Sequence, residues 1–236
     1  MLQNLSTAYQ GLEFEPETHT YTVGGRILTP VSNSLKSYYE EFNVEEKAVE
    51  YAQRHGGDPD EIAQAWEDNR VRAAEFGTSV HNFGERYFLD HSLKPSNNHE
   101  VAITKFWKDI PPYIIPLHSE LQMFSERFAL AGTSDNIFYD DRKKGIVISD
   151  YKTNKDLYKN FMGKTMFEPF EFMLDMPLSH YELQLSTYQL LLEEAIGVKV
   201  VERWIIWLLP DGSYEKIYAR DFSKQIKEQR LKQLSC

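Results

Sequence analysis

The sequence predicts a mixed α/β fold: a central sheet of mixed strand direction, flanked by helices, with a helical section on its N-terminal side. Three observations lead there. Helical spacing and helix-start signals dominate between about residues 30 and 110. From Ser119 the texture turns to strand-like runs, "SELQMFS", "AGTSDNIFYD" and "GIVISDYK". A long helical pattern and a further hairpin follow, and helices interleaved with strands around a shared core define the class.

The elements can be justified in order. "HTYTVGGRIL" (19–28) alternates and carries Gly24-Gly25 at its centre, a two-residue hairpin signal. Helices are expected at about 31–41 and 44–54. "GGDPDEIAQAW" marks another start, with Asp58 as N-cap, Pro59 in the first turn and Glu61 three residues after the cap. That helix is expected to reach Phe76, where Gly77-Thr78 interrupts or re-caps it. "TSVHNFGERYFL" (78–89) then reads as a second helix, with Val80, Phe83, Gly84 and Tyr87 on its packing face. Residues 99–109 look helical and end at Pro111-Pro112. The strand pair "AGTSDNIFYD" and "GIVISDYK" is joined by the charged turn "DRKK". An irregular stretch, 155–178, precedes the helix "SHYELQLSTYQLLLEEAIG", which Gly197 can terminate. "VERWIIWLL", the turn "PDGS" and "YEKIYA" suggest a hairpin, and a basic helix over about 222–234 closes the chain. No Pro/Gly/Ser linker separates these parts, so a single domain is expected over 1–236. Within it, about 30–110 is mainly helical and about 115–220 holds the sheet and its helix.

Composition narrows the function. The 236 residues can bury a full core and show no internal repeat. Cys236 is the sole cysteine, which excludes a disulfide framework, a cysteine-rich zinc site and a cysteine-ligated iron–sulfur cluster. The opening residues lack the apolar stretch of a signal peptide, and "WIIWLL" (204–209) is too short to span a bilayer. A cytoplasmic protein without a membrane partner is therefore expected. The net charge of −10 argues against nucleic acid, but its distribution does not. Arg142 to Lys164 holds seven basic residues against Asp150 and Asp156, a local +5 on a body of −15. Such a run is often just a solvated face; it can also hold a phosphate backbone. "MGKTM" is no phosphate-binding loop, because the required glycine five residues before Gly163 is Tyr158. No ATP is therefore expected as a cofactor. The seven histidines contain no His-Glu-x-x-His pattern.

The chemistry gathers in "AGTSDNIFYDDRKKGIVISDYKTNK" (131–155). Period-two alternation sets Ile146, Ile148, Asp150 and Lys152 on one face of a strand, and Val147, Ser149 and Tyr151 on the other. Both faces are largely apolar, as in a central strand covered on each side. Asp150 and Lys152 then lie at the rim of a core, where unpaired charges are costly. Asp135, on the neighbouring strand, can reach the same end. Converging carboxylates repel unless a cation intervenes, and hard oxygen ligands favour Mg²⁺ or Mn²⁺. Lys152 alongside would help orient or deprotonate a water and offset charge on a phosphoryl group. A plain structural ion pair between Asp150 and Lys152 is the competing reading.

Asp135 followed by Asp150-Tyr151-Lys152 resembles the signature of the PD-(D/E)XK nuclease superfamily, and the flanking motifs resemble its RecB-type and phage-exonuclease branch. The Gly-Thr-x-x-His helix is matched by Gly77, Thr78 and His81, and the strand Glu ahead of Gly-x-x-Asp by Glu120, Gly132 and Asp135. Asp-x-Lys-Thr is matched by Asp150, Lys152 and Thr153, and Gln-x-x-x-Tyr by Gln184 and Tyr188. The resemblance spans about residues 12–210. It implies a restriction-endonuclease-like core and a Mg²⁺- or Mn²⁺-dependent DNA nuclease, an exonuclease of phage type acting in replication, recombination or DNA degradation. It further implies Asp135, Asp150 and the Tyr151 carbonyl as metal ligands, and Lys152 acting on water. His81 becomes a ligand or phosphate contact, and Glu120 a ligand or water-positioning group. Gln184, Tyr188 and Tyr181 share one helical face suited to holding DNA, and Thr153 and Lys155 are further expected DNA contacts. Lys155, Lys159 and Lys164 serve DNA only if their loop faces the cleft. DNA is the implied partner, with a recombination or replication protein as a second. Taken alone, His81 reads as a hydrogen-bonded structural histidine, Glu120 as a half-exposed strand residue, and Gln184 and Tyr188 as part of the core. The alternative function is a catalytically silent nucleic-acid- or partner-binding module on the same fold. The cysteine-ligated nucleases of CRISPR adaptation are a weaker match, since they carry four cluster cysteines.

Overall fold

A computed structural model of the chain describes residues 5–16 and 18–235. After a short helix α1 (Leu5–Ala8), strands β1 (Leu12–Glu15), β2 (Thr20–Val23) and β3 (Arg26–Pro30) form an antiparallel meander. Its tight turn puts Gly24 and Gly25 at φ +54° and +78°, the positive angles that a two-residue hairpin requires. β1 is a four-residue edge strand, too short for its alternation to be read beforehand.

The helical section follows as expected: α2 (Val31–Ser34), α3 (Val44–His55), α4 (Pro59–Leu89) and α5 (Asn98–Asp109). The first is shorter than its pattern suggested and continues only as a 3₁₀ turn to Tyr38. Asn43, Asp58 and Asn97 accept the N–H groups of Glu46, Asp60 and Glu100, capping three of these helices. The expected break at Gly77-Thr78 does not occur, and α4 is one helix of 31 residues. A lone glycine costs a helix only about 1 kcal/mol, too little to end one whose flanking turns pack well.

β4 (Ile114–Ser125), β5 (Leu130–Asp140), β6 (Gly145–Lys152), β7 (Val200–Leu208) and β8 (Tyr214–Tyr218) complete the sheet, with α6 (Pro177–Ile196) crossing from β6 to β7 and α7 (Ser223–Leu234) last. β4 begins five residues before the "SELQMFS" run. Pro116 disguises its start, and the register shifts between Pro116 and His118, where a sheet tolerates proline. The order is β1-β2-β3-β5-β6-β7-β8, with β4 on the other edge of β5. Pairing is mixed: β3 with β5 and β6 with β7 are parallel, the rest antiparallel.

One detail of this topology positions the site. β4 occupies one edge of β5 along its whole length. On the other edge β3 pairs only with Leu130 and Ala131, and β6 only with Asn136 to Asp140. Gly132 to Asp135 therefore line a gap between two diverging strands.

The central strands are covered on both faces. Ile137, Ile146, Ile148 and Ile205 pack with Leu183 and Leu191 of α6. Phe138, Val147, Tyr151 and Ile206 pack with Val80 and Phe83 of α4 and Phe106 of α5. α6 is anchored in its second turn by Glu182, a buried carboxylate that accepts from the Arg220 guanidinium at 2.6–3.0 Å and from its backbone N–H. Glu182→Ala is expected to lower the unfolding free energy by about 2 kcal/mol, read from the urea midpoint. A fully buried pair would cost more, but the Arg220 side chain is half in water. Among the described residues no helix is long and apolar enough to cross a membrane.

Candidate active site

The β5–β6 gap is closed by side chains rather than by ladder bonds. Continuing the antiparallel register one step past Asn136–Ser149 sets Asp135 opposite Asp150. Asp135 Oδ2 accepts the backbone N–H of Tyr151 at 2.6 Å, where β6 turns away. Asp150 is buried, and its Oδ2 is ion-paired with Lys152 Nζ. Alternation puts the Tyr151 side chain on the opposite face, where its hydroxyl accepts from Trp107 Nε1 at 2.9 Å. The face assignments read from the sequence thus hold: Asp150 and Lys152 on the α6 side, Tyr151 on the α4 side.

α4 brings His81 over this gap. His81 Nδ1 lies 3.0 Å from Asp135 Oδ1. α4 can approach so closely because Gly84 sits on the Tyr151 ring, where a Cβ would come within 2.7 Å of Cε2. α6 comes in from the other face in the same way: Tyr188 lies on Gly132, where a Cβ would meet its Cε1 at 2.7 Å. Glu120 enters from β4. It has φ +50°, a left-handed conformation that costs a non-glycine residue about 1 kcal/mol or more and marks strain at this point of the strand.

His81, Glu120 and Asp135 each offer a ligand atom within 4.8 Å of the others. The electrostatics show how crowded this negative charge is. Burial and then Asp135 push the Glu120 carboxyl up to about 8, and the same two causes raise Asp150. Burial alone would depress His81, yet Asp135 outweighs it and holds the imidazole at about 9. Burial opposes the Asp135 carboxylate, but His81 keeps it below the usual range. Lys152 is likewise raised against its burial by Asp150. Three carboxyl groups so close need positive charge, which the His81 imidazolium, the Lys152 ammonium and a proton on Glu120 supply here. The donor set, hard carboxylate oxygens with one imidazole nitrogen, fits a divalent cation.

Lys152 Nζ stands 4.2 Å from the centroid of the Tyr181 ring. Tyr181 donates its hydroxyl to Asn154 Oδ1 at 2.8 Å. Gln184 Nε2 donates to the Tyr188 hydroxyl at 2.8 Å, with Tyr188 buried and Gln184 half-buried. Thr153 lies against α4, its Oγ1 3.7 Å from the point where a Cβ on Gly77 would stand. Lys155 is exposed on the segment after β6. Sequence reasoning passed over Asn154, which links Tyr181 to β7 by accepting Trp207 Nε1 on its carbonyl at 2.8 Å. Its one signal was adjacency to Thr153.

No curated protein matches the chain. Among solved structures, a chain from Eubacterium rectale described as a candidate exonuclease resembles it at 13% identity and a TM-score of 0.40, covering 88% of this chain and 79% of that one. Another, described as SSO0001, does so at 13% identity and 0.31, covering 86% and 82%. The model of the PD-(D/E)XK nuclease superfamily matches residues 33–233, a span that contains every side chain of the site. The chain belongs to the PD-(D/E)XK nuclease superfamily.

Proposed function

We propose that the protein is a Mg²⁺-dependent deoxyribonuclease, acting as an exonuclease in replication, recombination or degradation of phage or mobile-element DNA. The observation that carries this reading is the meeting of His81, Glu120 and Asp135 at one gap in the sheet, with the Asp150–Lys152 ion pair beside them. Asp135, Asp150, Glu120 and His81, with the Tyr151 carbonyl, would hold the divalent cation. Once bound, that cation supplies Lewis acidity toward the scissile phosphate and charge neutralisation among the carboxylates.

Lys152, held between Asp150 and the Tyr181 face, is fixed to orient the attacking water and to offset charge on the phosphoryl oxygens. His81 approaches over the Asp135 side, where its remaining ring nitrogen serves either the cation or, protonated, a phosphate oxygen. Gln184, Tyr181 and Thr153 border the site where the strand must lie, and Tyr188 supports Gln184 from beneath. Most contacts of such a site go to the phosphate backbone, so cleavage is expected to be sequence-tolerant and to weaken with salt.

The test is digestion of end-labelled linear duplex and of a closed circular duplex with Mg²⁺ or Mn²⁺. The reading expects loss of label from the linear DNA, an intact circle, and no reaction in EDTA. Cleavage of the circle would replace the exonuclease with an endonuclease. Failure on both, with either cation, would overturn catalysis.

A further inference from the structure

We infer that the segment from Lys155 to Lys164 is a stacking platform for single-stranded DNA leading away from the active site; this rests on the nuclease reading above. Only Thr153 and Asn154 separate the segment from Lys152 at the end of β6, and Asn154 joins Tyr181 to Trp207. Tyr158 extends the aromatic surface, its ring centroid 6.0 Å from that of Trp207.

The segment is tied down, not loose. Leu157 is fully buried and its carbonyl accepts the Leu178 N–H at 3.0 Å. Asn160 Nδ2 donates to the carbonyls of Lys164 and Asp175, both at 2.8 Å. Lys164 is ion-paired with Glu40. A backbone fixed at these points nevertheless leaves Tyr158 49%, Phe161 62% and Met162 97% exposed. Single exposed apolar residues are ordinary; three within five residues of a pinned loop form a surface.

Charge selects the occupant. Three lysines (155, 159, 164) stand in the segment against Asp156 alone. Asp156 is engaged by the Tyr158 N–H. Lys155 and Lys159 take part in no ion pair among the described residues, and Lys159 Nζ lies 4.8 Å from the Phe161 ring centroid. Glu215, near Tyr158, and Glu40, paired with Lys164, are acidic neighbours from outside the segment. Exposed rings interleaved with free ammonium groups match bases and phosphates alternating along a strand. Ring stacking needs an open base face, which a duplex covers and a single strand offers. Continuity with Lys152 favours this occupant over a lipid surface.

The experiment is fluorescence anisotropy of labelled oligo(dT) and of blunt duplex of equal length, in EDTA so that nothing is cleaved. Tyr158→Ala/Phe161→Ala is expected to weaken oligo(dT) binding at least tenfold and duplex binding less than twofold, while Phe161→Trp retains binding. Lys155→Ala/Lys159→Ala should reduce the slope of log affinity against log salt by about 1.4, two single-strand phosphate contacts at about 0.7 each. Unchanged oligo(dT) affinity in the aromatic variant overturns the platform, and an equal loss on duplex overturns the single-strand assignment. In either case the nuclease reading survives if the wild type still cleaves linear DNA with Mg²⁺.

Discussion

Asp150→Asn and Lys152→Met are each expected to lower phosphodiester cleavage by about a thousandfold or more, and the double variant no further than the worse single one. Groups that act as a unit lose their joint contribution at the first removal. The structure adds an asymmetry in stability. Asp150 is buried and its partner Lys152 is only 13% exposed, so removing one partner leaves the other charge without its counterion, a cost of about 3 kcal/mol, the low end for a buried pair. The two singles are not equivalent, however. Without Lys152, Asp150 can take a proton, because burial and Asp135 already push its carboxyl upward. Without Asp150, Lys152 keeps its charge and only the Tyr181 face and the more distant Asp135 remain to it. Lys152→Met should therefore be the more stable single variant, and the double variant more stable than the sum of the two losses predicts. Urea unfolding of the four proteins measures that coupling, and single-turnover digestion with Mn²⁺ measures the cleavage. Undiminished cleavage by either single variant would remove these residues from the reaction.

What the sequence showed and what it hid divide along a physical line. Strand alternation and an Asp-x-Lys spacing are local, so β5, β6 and the faces of Asp150, Lys152 and Tyr151 could be read directly. The gap between β3 and β6 along β5 depends on where two pairings stop, and no local pattern encodes that. Glu120 illustrates the limit. Its side chain is an ordinary strand glutamate in the sequence, yet its place in the site comes with a left-handed backbone at φ +50°. Tyr188 is the converse case. The helical face it shares with Tyr181 and Gln184 was correct, but its burial on Gly132 is a consequence of how near α6 approaches β5. α4 misled because Gly77 looks like a terminator by propensity alone, whereas the packing of a 31-residue helix overrides one weak residue.

Two glycines of that helix are expected to answer the same substitution with opposite signs. In a helix interior, Gly→Ala normally adds about 1 kcal/mol of stability by removing backbone freedom from the unfolded chain. Gly77→Ala should show this gain, since its nearest neighbour, Thr153 Oγ1, is at an ordinary contact distance of 3.7 Å. At Gly84 the new Cβ would stand 2.7 Å from Tyr151 Cε2 and 3.5 Å from Ile103 Cδ1. The Tyr151 ring is in no position to yield, being fully buried with its hydroxyl held by Trp107. Overpacking of this kind costs about 1–3 kcal/mol, which outweighs the helix gain. The strain has one cheap outlet, a shift of α4 away from the sheet. His81 stands three residues before Gly84 on the same helix and would be carried off Asp135 with it. Gly84→Ala is thus expected to lose about 1–2 kcal/mol of stability and about tenfold in cleavage, because small misplacements of a positioned group are costly in rate. Parallel thermal unfolding and cleavage of the two variants measure both effects. If Gly84→Ala proved as stable as Gly77→Ala, the close seating of α4 on Tyr151 would be wrong, and with it the account of how His81 is held at the site.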